Sequence, residues 1–190
     1  EFRAPLRAGQ ALVRRSRIDD VRCKRGRSGP LVFVNARHEI GAGGELALVE
    51  HQDIVYREAP QPGEPAPAGL PAPADAQWSR RIEPDPVLLF RYSALTFNGH
   101  RIHYDRDYVT KVEGYPGLVF HGPLQASFIV EFAAKLHGGQ APKKFVYRGV
   151  QPLFEGSEFS INANDNGSGG MEMWTANAEG QPTMKGVATW

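Results

Sequence analysis

The segment Leu118–Leu136 constrains the fold more than any other part of this 190-residue chain. Pro123 suits a first helical turn, where its missing amide costs nothing, and Gly138-Gly139 supplies a stop. On a helix, Ser127, Glu131 and Lys135 fall at i, i+4 and i+8 and form one narrow polar stripe. Glu131 ahead of Lys135 is also the favourable order for a surface ion pair. Leu124, Phe128, Ile129, Val130, Phe132, Ala133 and Leu136 occupy the other faces, and a helix that apolar must be wrapped on most sides. After Pro142 the pattern returns to strands: Phe145–Val150, Glu158–Asn164, Met171–Ala178 and Thr183–Trp190. Ahead of the helix, Val87–Ser93 reads as a strand and Asn98–Asp105 as a polar loop.

Six of the fifteen prolines fall between Pro60 and Pro73, interleaved with Ala and Gly, which predicts a semi-extended linker over 59–77. It separates residues 1–58 from 78–190. The first part reads as a meander of Leu12–Val21, Leu31–Ile40 and Leu46–Tyr56, with turns at Arg25–Pro30 and Gly41–Gly44. No helix is expected to cover it, so it is not a complete domain. Pro5-Leu6-Arg7-Ala8-Gly9 resembles Pro152-Leu153-Phe154-Glu155-Gly156, and each opens a strand followed by two glycine-containing turns. This internal repeat implies that the chain begins partway through its first copy, and that a parent chain has roughly 260 or more residues, the size of larger single-chain domains.

Composition excludes several classes. A single cysteine, Cys23, rules out an internal disulfide framework and a cysteine-rich zinc site. No apolar run approaches the ~18 residues of a membrane span. The formal net charge is +1, giving no overall pull towards nucleic acid or membrane. Residues 1–30 nevertheless hold nine of the 22 basic side chains against three of the 21 acidic ones, a local +6 that the remainder offsets with −5. Neither GxGxxG nor a GxxxxGK phosphate loop occurs.

The densest polar cluster is Thr96–Asp105, with two histidines, an arginine, an asparagine and an aspartate. Such a loop can hold a general acid/base and its orienting partner, or be a hydrogen-bonded surface loop. His100 and His103, with His121 or Asp105, lack the regular spacing of metal ligands, so no metal site is expected. Phe120-His121-Gly122-Pro123 opens the helix, where free amides and the dipole suit an enolate or oxyanion, with Gly122 as the natural donor. Simple capping is the alternative.

Phe90–Asp105, above all Asn98-Gly99-His100-Arg101-Ile102-His103-Tyr104-Asp105, resembles the hydratase motif of the MaoC-like acyl-thioester dehydratases. Leu118–Leu124 is similar to the segment opening that family's central helix, and Tyr147–Gly156 to the strand after it. The branch resembled includes mitochondrial-type hydroxyacyl-thioester dehydratase type 2 and the mesaconyl-C4-CoA and itaconyl-CoA hydratases. The resemblance implies an α+β tandem hotdog: an antiparallel sheet wraps a long apolar helix, 78–190 is the catalytic repeat, and 1–58 holds the later strands of a non-catalytic, incomplete one. It implies reversible hydration of a 2-enoyl-CoA thioester, with a small or dicarboxylic acyl group. His103 takes the catalytic histidine's position, Asn98 stands where the broad family has an aspartate, and Gly122 N–H polarises the thioester carbonyl. His100, Arg101, His121 and Arg148 are then expected at the substrate.

That resemblance calls for no cofactor, for an acyl-CoA as ligand, for a homodimer, and for neither nucleic acid nor membrane as partner. The expected compartment is the cytoplasm, or the mitochondrial matrix in a eukaryote. Two other readings stay open: a hotdog acyl-CoA thioesterase, and a catalytically degenerate acyl-CoA-binding or scaffold protein, which the amide at Asn98 would suit.

Overall fold

The computed structural model describes residues 1–26, 29–58, 71–73 and 75–190. Residues divide into two compact units, Glu1–Pro67 and Ala68–Trp190. The expected linker lies outside the described residues over 59–70 and at 74. In its last part, Ala72 N–H donates to Gly180 O at 2.9 Å and Gln77 N–H to Asn164 Oδ1 at 2.7 Å.

In the first unit, β1 (Leu12–Gly26), β2 (Gly29–Ala42) and β3 (Glu45–Arg57) form an antiparallel meander in that order. No helix occurs among its described residues. Gly43 and Gly44, at φ +59° and +87°, make the tight β2–β3 turn, a conformation that L side chains rarely adopt. Apart from Ala47, Val49 and His38, the side chains of its described residues are half-buried or exposed.

The second unit is a sheet wrapped on a helix. β4 (Trp78–Ile82), β5 (Lys144–Gly149), β6 (Phe159–Asp165), β7 (Gly170–Ala176) and β8 (Pro182–Thr189) pair antiparallel in the order β4-β6-β7-β8-β5. The expected apolar helix is α3 (Gly122–Leu136), packed against β5 to β8. Leu124, Ile129, Phe132 and Ala133 meet Phe159, Ile161, Met173, Met184 and Ala188 in one core. Burying each of the larger side chains is worth about 1.5–3 kcal/mol. The polar stripe is as expected, with Glu131 bonded to Lys135 and to Arg80 of β4. Gln125 breaks the apolar face: its Oε1 lies 3.1 Å and 3.0 Å from the hydroxyls of Thr175 and Thr183, all three buried. That local bonding makes a buried amide tolerable.

Two elements differ from expectation. Val87–Ser93 is not a strand but part of helix α1 (Pro86–Leu95). Asp85 caps it by accepting from Val87 N–H at 2.8 Å, Pro86 fits the first turn, and only Leu89 and Ser93, one turn apart, are fully buried. Helix α2 (Arg106–Lys111), which the sequence reading lacked, begins at an Asp105 cap.

Candidate active site

Helix α1 ends in a Schellman motif that sets the start of the polar loop. Phe97 N–H donates to Ala94 O, and Asn98 N–H to Ser93 O at 2.8 Å. Such a motif needs a left-handed residue, usually glycine, yet Phe97 fills it at φ +52°, with its side chain exposed. Asn98 Oδ1 then accepts from His100 N–H at 3.0 Å, and Tyr104 OH donates to Gly99 O at 2.8 Å. Arg101 donates to Asp105 Oδ2 at 2.7 Å and lies 4.2 Å over the Tyr108 ring. Asp105 also accepts from Tyr108 N–H, and that bond first, with Arg101 second, holds its carboxyl below the usual range.

The loop delivers His103, on a short 3-10 turn (Arg101–His103), into a buried position. Its Nδ1 stands 2.7 Å from Val119 O. A carbonyl only accepts, so Nδ1 carries the proton and the neutral ring leaves Nε2 as a bare lone pair. Burial lowers the His103 pKa below the ordinary value, which keeps that lone pair unprotonated at neutral pH.

His121 lies face to face with His103, ring centroids 3.7 Å apart and planes 16° from parallel. It is 1% exposed, its Nε2 is 2.8 Å from Ser93 Oγ, and Tyr92 meets it edge-on at 4.8 Å. Its Nδ1 is buried with no hydrogen-bond partner. Burial first, and the neighbouring His103 second, push the His121 pKa down to about 4. Between 6.5 and about 4 the unfolded chain therefore binds a proton that folded His121 refuses, and stability falls as pH drops through that window. Urea midpoints measured across it are expected to decline, and to decline less steeply in His121→Phe.

Gly122 follows directly as the first residue of α3, and a Cβ built there would meet nothing within 4 Å. First-turn amides have no acceptor inside their own helix, so this N–H is available to an oxygen placed at the helix end. The preceding segment is tied down on both sides: Val119 N–H donates to Ile102 O at 2.9 Å, and Phe120 N–H to Leu153 O at 2.7 Å. Leu118 N–H donates to the buried carboxylate of Glu155 at 3.0 Å, and Arg106 reaches the same oxygen at 2.8 Å.

The expected residues thus separate into groups. His103, His121 and His100 stand together, His100 meeting His103 edge-on at 5.7 Å, and Asn98 joins them through the His100 amide. Gly122 adjoins His121 in the chain. Arg101 is held by Asp105. Arg148 is exposed on the edge strand β5 opposite Lys185, and no contact among the described residues joins it to His103. Ser93 and Glu155, missing from the sequence reading, support the group; only a helical reading of 86–95 would have turned Ser93 inward beside Leu89. No cluster of three or more metal-ligating side chains occurs among the described residues, and no helix there is long and apolar enough to cross a membrane.

The family described as hydroxyacyl-thioester dehydratase type 2 matches residues 1–155. The chain is 47% identical over 169 residues to the mesaconyl-C(4)-CoA hydratase of Chloroflexus aurantiacus, covering 87% of this chain and 59% of that protein. It is 32% identical over 137 residues to the mitochondrial hydroxyacyl-thioester dehydratase type 2 of Schizosaccharomyces pombe, covering 71% and 45% respectively. The chain thus spans less than two thirds of either relative's length. A MaoC-like dehydratase from Phytophthora capsici aligns with a TM-score of 0.76 at 18% identity, over 100% of this chain and 68% of that one. A Mycobacterium tuberculosis protein described as having a double hotdog fold aligns at 0.62 and 15% identity, over 98% and 71%. At such identities the structural likeness speaks for the fold alone, an α+β architecture of the double-hotdog kind.

Proposed function

Because the chain belongs to the hydroxyacyl-thioester dehydratase type 2 family, we propose that it adds water reversibly across the double bond of a 2-enoyl-CoA thioester. The observation carrying this reading is the bond from His103 Nδ1 to Val119 O, which leaves Nε2 free as a base beside the opening of α3. His103 Nε2 takes a proton from water as its oxygen bonds to C3 of the enoyl group. The C2–C3 π electrons move onto the thioester carbonyl, and Gly122 N–H with the helix dipole stabilises the enolate oxygen. The imidazolium then returns its proton to C2, giving a 3-hydroxyacyl thioester with all atoms accounted for. Asn98, an amide, orients the water rather than deprotonating it.

The 47% identity to a mesaconyl-C(4)-CoA hydratase favours a small dicarboxylic acyl group. Hydration assayed over crotonyl-, mesaconyl- and itaconyl-CoA tests both class and substrate. Binding of all three without turnover would replace this reading by that of a degenerate acyl-CoA-binding protein, and release of free CoA by that of a thioesterase. Asn98→Ala is expected to lower turnover more than tenfold, the scale of losing a group that orients a reactant; steady-state kinetics on the preferred thioester read it.

The unit Glu1–Pro67 fits the strands of a non-catalytic first repeat. Gly9 and Gly156 take φ +86° and +87°, and β1 and β6 each begin three residues later. Each unit then continues as a three-strand antiparallel meander. A homodimer remains the expected assembly, which light scattering on the eluting protein would measure.

A further inference from the structure

Ser93 and His121 take no part in the chemistry proposed above, yet they are the buried polar pair directly behind it. Imidazole is a costly choice there. Nδ1 of His121 is buried without a partner, and a phenyl or aliphatic side chain would carry no such penalty. Nor does the side chain cap its own helix, although His121 occupies the N-cap position of α3. What the ring does is lie flat against His103, with its far nitrogen held by an oxygen on another helix.

We propose that Ser93 and His121 form a positioning pair for the general base. Ser93 Oγ fixes the plane of the His121 ring, and that ring backs His103 so that its Nδ1 meets Val119 O and its Nε2 faces the reacting water. Because Gly122 is the next residue, the same pair sets the separation between the base and the carbonyl-polarising amide. The role of the base rests on the hydratase reading; the ordering of the ring does not.

The surroundings suit a neutral plate beneath a ring that becomes charged in each cycle. From α1, Tyr92 and Ser93 face His121; from the polar loop, His100 faces His103; from the segment before α3, only the Val119 carbonyl does. No carboxylate is bonded to either ring among the described residues. A second imidazolium 3.7 Å away would oppose protonation of His103, so the backing ring must stay neutral. Its burial does that.

The test uses the full chain, labelled with ¹⁵N, and reads the imidazole nitrogens of His103 by two-bond proton–nitrogen correlation, with turnover measured in parallel. The wild type is expected to show one neutral tautomer of His103, protonated at Nδ1. Ser93→Ala, which removes one oxygen, should give averaged nitrogen shifts and lower kcat about tenfold with KM nearly unchanged, as expected of a displaced group. His121→Ala should cost about a hundredfold, and His121→Phe, which restores a flat ring, should recover part of both signals. An unchanged tautomer in folded Ser93→Ala, or a mixed tautomer in the wild type, overturns the proposal. Should His121→Ala not fold, Ser93→Ala decides alone. Absence of turnover on every enoyl-CoA would defeat the hydratase reading, whereas the nitrogen shifts still report whether the pair orders the ring.

Discussion

His103→Ala is expected to lower hydration of the preferred enoyl-CoA by about 10²- to 10⁴-fold, the range for removal of a general acid–base group. The loss should appear in kcat, because the ring is buried and its contribution is made as the proton moves. Residual rate would come from the helix end at Gly122, which still polarises the carbonyl. The fold should survive, since the variant forfeits one side-chain hydrogen bond to the backbone and two ring contacts, about 0.5–1.5 kcal/mol for the bond. Unfolding curves beside the kinetics separate the two effects. The pH profile offers a second check on the wild type: burial lowers the His103 pKa, so kcat/KM should be level through neutrality and fall only below the ordinary histidine range. A profile that falls above that range would sink the assignment of His103 as base.

Glu155→Leu is expected to damage both stability and turnover. The Glu155 carboxylate is 2% exposed and accepts from Leu118 N–H and from Arg106, whose own side chain is 62% exposed. Arg106 can turn to water, but the Leu118 amide cannot. Leaving it unpaired costs about 1–3 kcal/mol, equivalent for a chain of this size to about 2–4 °C of melting temperature per kcal/mol. Leu118 adjoins Val119, so a shift in that segment also moves the anchor of His103. Glu155→Gln keeps an acceptor for the amide and should spare most of the loss. Thermal melts followed by circular dichroism, with turnover at a temperature where both variants are folded, measure the pair. A Glu155→Leu melt equal to wild type would show that the Leu118 amide finds another acceptor.

Much of the second unit was legible because burial imposes a period. The apolar faces of α3 leave only the stripe Ser127, Glu131 and Lys135, and the four strands after Pro142 fall within a residue or two of expectation. Val87-Leu88-Leu89-Phe90 misled, since a short apolar run fits a buried strand as well as a helix. The deciding signal was outside the run, in the Asp85 cap and Pro86. At the site, His103, His100 and Asn98 were legible as one cluster because the loop itself brings them together. Ser93 and Glu155 were not, since their partners lie 28 and 37 residues away in the chain. Gln125 hid for a similar reason, its two hydroxyl neighbours arriving from β7 and β8.

Val119 holds the base with its main chain only. Its N–H donates to Ile102 and its carbonyl accepts from His103, so neither bond depends on which side chain the residue carries. Position 119 is therefore open to drift. Exchanging valine for another apolar residue changes what packs against the core while leaving the proton on Nδ1, whereas proline would remove the donor to Ile102. The base is thus held by a part of the chain that side-chain replacement does not reach.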